Sequence, residues 1–413
     1  MNTSKFTISI LREARVDEKR TPFTPDQVKI LIANFPNIKI LVQPSKKRCF
    51  KDEEYSKAGA KLEEDIINSN IIFGIKEVDI SKIIEGKTYL FFSHTSKVQN
   101  GNVQNSQDQS ITYKKNLLRK VLKKNVTLID YENIRDKSKK AYRYLGFGRF
   151  AGIVGCYNTL NLYLKLNKKK LLPRAFEINS YEKIKKLIAK QNFNKLKILQ
   201  TGRGNVAKGS MEILKHANIK QISLKDYLDK KYDEPVYCNI SISEHIERKD
   251  GKDFPHQDFI LNPQEYKSKV KNYLFDTDIL ITGHYWDPKF PKLFYQDQIN
   301  EFKNLKIIGD ITCDINGAIP TTIRSTTIAK PYYSVDINSM KEIDLGNKGI
   351  AVMAVDNLPS ELPNEASEEF GKDIISEVLP YLFKKDDGRI SRATTASQGK
   401  FTSSFSYLKD FIK

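Results

Sequence analysis

Apolar residues in the first third of the chain come as short runs separated by stretches of helical periodicity. Residues 6–11 and 38–43 alternate well enough to predict strands. Between them, Val28, Ile30, Leu31 and Ile32 follow Thr24 and Pro25. That order predicts a helix with Thr24 as its N-cap and proline in its first turn. Residues 71–75 and 89–93 are continuous apolar runs, the pattern of strands buried on both faces, and 126–129 adds another. In the lysine run 114–124, Leu117, Leu118, Val121 and Leu122 keep helical spacing, which leaves the lysines on a solvated face. Residues 99–113 are polar and rich in Gln and Asn, and predict a loop. Gly146, Gly148, Gly152 and Gly155 predict a crossing into a second domain, followed by a helix over 157–166. A second alternation runs from 195 to about 345. After 356 come two Leu-Pro turns, a helix over 365–383, and a polar tail with a short helix over 405–412. The fold class is α/β, with parallel sheets flanked by helices.

At 413 residues the chain is long enough for two or three domains, and 39% hydrophobic content excludes wholesale disorder. Its 69 basic and 50 acidic residues leave a formal charge of +19. The lysines are spread along the whole length, with no zinc-finger spacing and no basic-aromatic box. Nucleic acid is therefore not the expected partner, and the charge instead helps attract an acidic substrate. Cys49, Cys156, Cys238 and Cys313 lie far apart, which excludes a disulfide-stapled miniprotein or zinc ribbon and points to a reducing cytoplasm. No run approaches the ~20 apolar residues of a membrane span, and the N-terminus lacks the apolar core of a signal peptide. No His/Cys/Asp spacing suggests a metal, and His216 and His256 read as surface residues.

One motif carries chemistry by itself. An apolar strand ending at Gln200 runs into Thr201-Gly202-Arg203-Gly204-Asn205-Val206-Ala207, and a helix with Met211, Ile213 and Leu214 follows. This is G-x-G-x-x-A in the strand–turn–helix setting of a dinucleotide site. Gly202 permits the tight turn, Gly204 lets the backbone approach a pyrophosphate, and the helix N-terminus offers free N–H groups. Asp226, about 20 residues on, is the expected ribose acid, with Asp229 the alternative. An acid there favours NAD, whereas the adjacent Lys225 keeps NADP open.

Several segments in family order resemble the alanine dehydrogenase, transhydrogenase and saccharopine dehydrogenase superfamily. They are Leu11-Arg12-Glu13 with Glu18-Lys19-Arg20-Thr21-Pro22, then Gly74-Ile75-Lys76-Glu77, Phe91-Phe92-Ser93-His94, Asp130-Tyr131-Glu132, Arg143 with Phe147-Gly148, and Gly309-Asp310-Ile311-Thr312. Leu358-Pro359-Ser360-Glu361-Leu362-Pro363 looks specific to the lysine-forming saccharopine dehydrogenases and lysine–2-oxoglutarate reductases. The Arg248-Lys249-Asp250-Gly251 insert and Tyr285-Trp286-Asp287-Pro288 resemble the reductase half of the bifunctional lysine-degrading enzyme, and the chain's end at Lys413 reads as monofunctional. The resemblance implies two Rossmann-like domains with a cleft between them. The first, a catalytic domain, covers 1–155 and is completed by 357–413; the second, the dinucleotide domain, covers 156–356.

The implied reaction joins lysine and 2-oxoglutarate as an imine, which a hydride from NADH or NADPH reduces to saccharopine, or the reverse. Lys76 and His94, each after an apolar strand, fit the acid–base roles. Arg20 is expected on a substrate carboxylate, with Arg12 and Arg48 as weaker choices. Glu18, Glu77 and Glu132 are expected around the substrate. Arg143, Phe147 and Asp356 are expected beside the cofactor, with Gly202, Arg203, Gly204, Asn205, Val206 and Asp226. Trp286 either shelves a ligand or lies in the core. The rival readings are an alanine dehydrogenase-like enzyme of the same superfamily and a nucleotide-binding protein without catalysis. The sequence leaves oligomeric state and reaction direction open.

Overall fold

In the computed structural model, described over residues 6–96, 109–138, 142–346 and 348–413, two eight-stranded sheets organise the chain. They belong to two units. One comprises residues up to Gly146 together with Pro363–Lys413, and the other is Phe147–Leu362.

In the first unit the strand order is Lys400–Phe401, Thr394–Ser397, Thr127–Asp130, Thr88–Phe91, Ile71–Phe73, Phe6–Ile10, Ile38–Val42 and Lys61–Leu62. The six strands from Thr127–Asp130 to Lys61–Leu62 run parallel, with Ile10 opposite Phe73 and Phe73 opposite Leu90. Ile8, Ile10, Val42, Phe73 and Leu90 are fully buried, as apolar runs in a parallel sheet require. The helix Pro25–Asn34 starts where expected. The Thr24 hydroxyl accepts the Gln27 N–H, and the Gln27 side chain returns to the Thr24 N–H.

The second unit places Lys197–Thr201 between Ile279–Thr282 and Val236–Ile240, all parallel. Lys220–Gln221 lies at one edge and an antiparallel pair, Tyr332–Val335 and Glu342–Ile343, at the other. A satellite hairpin, Ile246–Arg248 with Tyr266–Ser268, closes over Ile246, Phe259 and Tyr266. Among the described residues no helix is long and apolar enough to cross a membrane.

Several expectations need correction. The chain does pass from one unit to the other at the glycine cluster, between Gly146 and Phe147, but the helix that follows starts nine residues earlier than expected, running Gly148–Leu166, and takes in Gly148, Gly152 and Gly155. A Cβ on Gly152 would meet the Val206 carbonyl oxygen at 1.9 Å, and one on Gly155 would meet Ile311 at 2.6 Å. These glycines let the helix lie against Asn205–His216 and the sheet, so the unit boundary falls before it, at 146/147 instead of 155/156, and the return falls at 362/363 instead of 356/357. Of the expected loop 99–113, residues from Gln109 open the helix Gln109–Lys123, and the rest lie outside the described residues. The helix expected over 365–383 is two, Pro363–Glu377 and Leu379–Phe383, because Pro380 has no N–H to continue the ladder. In the tail, Thr394–Ser397 pairs antiparallel with Thr127–Asp130, and the short helix shrinks to Leu408–Phe411.

The first five residues of the Leu-Pro-Ser-Glu-Leu-Pro motif form an anchor at the end of the second unit. It forms a 3-10 turn, Leu358–Glu361, whose Glu361 carboxylate is fully buried. That carboxylate accepts from Asn158 Nδ2 at 2.9 Å and from Arg174 at 2.9 and 3.0 Å. Burial raises the Glu361 carboxyl above its ordinary value, against the pull of Arg174. Glu361→Gln is expected to lower stability by about 1–3 kcal/mol, read by urea denaturation. An unchanged midpoint would show that the contact contributes nothing.

Candidate active site

The carboxyl ends of four neighbouring parallel strands in the first unit bring four chemically active side chains side by side. In sheet order they are Glu132 beyond Thr127–Asp130, His94 beyond Thr88–Phe91, Lys76 beyond Ile71–Phe73, and Glu13 beyond Phe6–Ile10. Lys76 Nζ lies 3.4 Å from His94 Nε2, and His94 Nδ1 lies 3.3 Å from Glu132 Oε2. A proton on Nδ1 faces the Glu132 carboxylate, which leaves Nε2 to accept from the Lys76 ammonium. His94 sits at φ +52°, a left-handed conformation uncommon outside glycine, and its ring stacks on Phe92. Burial lowers the Lys76 ammonium below its ordinary value; Arg20 adds to this, while Glu77 and Glu18 oppose it. A lysine so placed can give up and regain a proton beside an imidazole.

Two acids missed in the sequence frame this row. Asp130, fully buried, accepts from Ser93 Oγ at 2.5 Å and from the Glu132 N–H at 2.9 Å, so it ties the His94 strand end to the Glu132 turn. Burial and the Glu132 charge raise its carboxyl above the ordinary value. Glu13 accepts the N–H groups of Ile75 (2.7 Å) and Lys76 (2.9 Å). An acid at the end of an apolar strand, or within three residues of it, was the available signal for both.

Arg20 stands differently from its expected role. Its guanidinium is 2% exposed and forks onto Glu18, Nε to Oε1 at 2.8 Å and Nη2 to Oε2 at 2.5 Å. Arg12 pairs with Glu64, and Arg48 is buried between Asp52, the Gln43 carbonyl and the Tyr55 ring. All three are held by the protein itself. Glu77 is half-buried next to Lys76, and Arg143 approaches Glu132 at 3.5 Å, which puts it with the acid–base row.

In the second unit, strand Lys197–Thr201 turns through Gly202 into the helix Asn205–His216. Gly202 has φ +99°, and a Cβ there would meet the Gly283 carbonyl oxygen at 2.5 Å. A Cβ on Gly204 would have nothing within 4 Å. A turn that only glycine can make, with open space over its second glycine and the N–H groups of Asn205 and Val206 beginning a twelve-residue helix, fits a dinucleotide pyrophosphate. The close helix packing usually given to a third glycine falls here to Gly209, where a Cβ would meet the Arg149 carbonyl oxygen at 2.0 Å. Beneath the turn, Thr201 Oγ1 hydrogen-bonds His284 Nδ1 at 2.7 Å, and burial lowers that imidazole to about 4, so it stays neutral.

Asp226 is not at a strand end beside the turn. The neighbouring strand is Val236–Ile240, while Lys220–Gln221 is displaced to the edge. Asp226 lies in the helix Leu224–Asp229 and pairs with Lys230 at 2.8 Å. The acid near the correct strand end is Glu244. It accepts from the Ser241 N–H and hydroxyl, both at 2.6 Å, and from Arg203 at 3.1 Å. Phe147 caps the helix Gly148–Leu166, and Asp356 is exposed just after strand Ile350–Met353. Trp286 donates to the Pro291 carbonyl and packs on the core, the second of its two readings. Among the described residues no group of His, Cys, Asp and Glu could hold a metal.

Two family models match the chain. The alanine dehydrogenase/PNT N-terminal domain matches residues 9–153, and the alanine dehydrogenase/PNT C-terminal domain matches residues 236–403. Between them they take in most of the chain, which belongs to the alanine dehydrogenase/transhydrogenase family. Within that family it is similar to an alpha-aminoadipic semialdehyde synthase of Arabidopsis thaliana, 30% identical over 95% of this chain and 40% of that protein. It is also similar to the NAD(+), L-lysine-forming saccharopine dehydrogenase of Neurospora crassa, 24% identical over 88% of this chain and 87% of that one. The chain thus spans less than half the length of the semialdehyde synthases it matches. A solved L-alanine dehydrogenase shares the fold, with a TM-score of 0.63 at 13% identity over 98% of this chain and all of that one.

Proposed function

We propose that this chain is an NAD(P)-dependent oxidoreductase of amino-acid metabolism that acts on the C–N bond of saccharopine. In the cleaving direction, saccharopine, NAD(P)+ and water give L-lysine, 2-oxoglutarate, NAD(P)H and a proton. The observation that carries the reading is the Glu132–His94–Lys76 row at adjoining strand ends. Imine formation and hydrolysis need a group that moves protons at nitrogen and at water near neutral pH. A lysine with depressed basicity hydrogen-bonded to an imidazole meets that need.

When bound, the dinucleotide supplies or accepts the hydride at the carbon bearing the new C–N bond. Gly202, Gly204, Asn205 and Val206 would hold its pyrophosphate. Lys76 takes the proton from the secondary amine as the imine forms and returns it to the departing lysine amine. His94, steadied by Glu132, activates the water that attacks the imine carbon. Glu77 and Glu132 offer negative charge to the substrate ammonium. Asp226 stands away from the turn, so it does not select NAD over NADP. The four thiols support a reducing compartment such as the cytoplasm.

The decisive assay follows dinucleotide oxidation with lysine plus 2-oxoglutarate, with NADH and NADPH in parallel and ammonia plus pyruvate as control. Turnover dependent on lysine and 2-oxoglutarate together is expected. Turnover on ammonia and pyruvate alone would move the chain to the alanine dehydrogenase reading.

A further inference from the structure

Strand Ile71–Phe73 is only three residues long, and its pairing with the Thr88–Phe91 side continues through the Gly74 N–H on the Leu90 carbonyl and the Phe92 N–H on the Ile75 carbonyl. The N–H groups of Ile75 and Lys76 have no ladder acceptor and need one elsewhere. Both find the same side chain: Glu13 Oε1 takes Ile75 at 2.7 Å and Oε2 takes Lys76 at 2.9 Å. Glu13 is 7% exposed and stands just past the end of the adjoining strand Phe6–Ile10, whose own continuation is held by the Leu11 N–H on the Phe73 carbonyl. A carboxylate has two acceptor oxygens for two parallel donors, and no other side chain of that length matches both.

We propose that Glu13 is a positioning residue for Lys76: its carboxylate clamps the peptide groups of residues 75 and 76 and so aims the ammonium at His94. The inference rests on the reading of Lys76 as the proton-transfer group, and deepens it. An amide at this place would set its NH2 against one of the two peptide N–H groups, donor against donor. The segment would then turn away, and the amine would gain water. Burial is the main force lowering the Lys76 amine, so release would return it towards ordinary lysine basicity. The charges of Arg20, Glu77, Glu18 and Arg15 also act on that amine; burial with the Glu18 charge raises Glu13 itself to about 8, against the two N–H donors, so the fully ionised clamp belongs to the pH range above that value.

The test needs no substrate. Competitive acetylation of the full chain across pH, read at Lys76 by mass spectrometry, gives the amine's own titration. In Glu13→Gln the Lys76 midpoint is expected to rise by about one pH unit, and in Glu13→Asp, which keeps two oxygens, by less. Dinucleotide binding, measured on the same samples, reports the folded fraction. An unmoved Lys76 midpoint in folded Glu13→Gln overturns the role of Glu13. Saccharopine-dependent turnover of the wild type is measured separately: its absence, beside a Lys76 midpoint that shifts as expected, sinks the functional reading and leaves the clamp standing.

Discussion

Lys76→Met should lower the rate of hydride transfer by about 10²–10⁴-fold while leaving dinucleotide affinity within about twofold, the range expected when a general acid–base is removed and its pocket kept. Methionine has nearly the length of lysine and no proton to give, so the half-buried site stays filled. His94 would keep Glu132 at 3.3 Å and lose its other neighbour at 3.4 Å. Stopped-flow absorbance of the nicotinamide measures the rate, and ligand-induced fluorescence change measures affinity. Because Lys76 is the group whose basicity burial depresses, the limb of the pH–rate profile lying below ordinary lysine basicity should vanish with it. Turnover at the wild-type rate would remove Lys76 from the chemistry and the Glu132–His94–Lys76 row with it.

Arg20→Ala is expected to cost about 3–5 kcal/mol of stability, because it strands a carboxylate in the interior. Glu18 is 0% exposed along its side chain. Burial pushes its carboxyl up, but the Arg20 charge and hydrogen bonds outweigh burial and hold it below the ordinary 4.5. The pair's contribution is therefore complete above pH 4.5 and is lost as pH falls through the folded-state value. In the variant the sign reverses. Without the guanidinium, burial raises Glu18, and protonation relieves the cost. The gap between wild type and variant should accordingly be widest near neutrality and shrink steadily towards pH 4. Urea denaturation at several pH values measures it. A gap that does not depend on pH would mean the loss came from packing alone.

These residues also show what a linear reading can reach. The placement of Lys76 and His94 at strand ends was legible because each follows an apolar run, and in a parallel sheet such runs end on one side. The glycine turn was legible because its flanks declare strand and helix. Glu13 and Asp130 were harder. Their acceptor roles depend on which strands are neighbours, and strand order is not written in any local pattern. Asp226 failed for the same reason: the strand after the helix Asn205–His216 lies at the sheet edge, and a later one, Val236–Ile240, takes the place beside the turn. The glycine cluster marked the crossing between units, but the helix start was placed too late, because glycine marks both turns and close helix contacts and only the partner helix shows that Gly152 and Gly155 are the latter.

The strands Thr394–Ser397 and Lys400–Phe401 complete a sheet whose other members all precede residue 131. During synthesis the open side of Thr127–Asp130 must therefore wait for more than half of the polypeptide to emerge before it is covered. The intervening unit, Phe147–Leu362, is continuous and can close first. Until the tail arrives, the waiting strand is a bare template for pairing with other nascent chains. Shortening the tail should therefore show itself in the ribosome-bound and newly released protein, as aggregation, before any effect on a finished molecule can be measured.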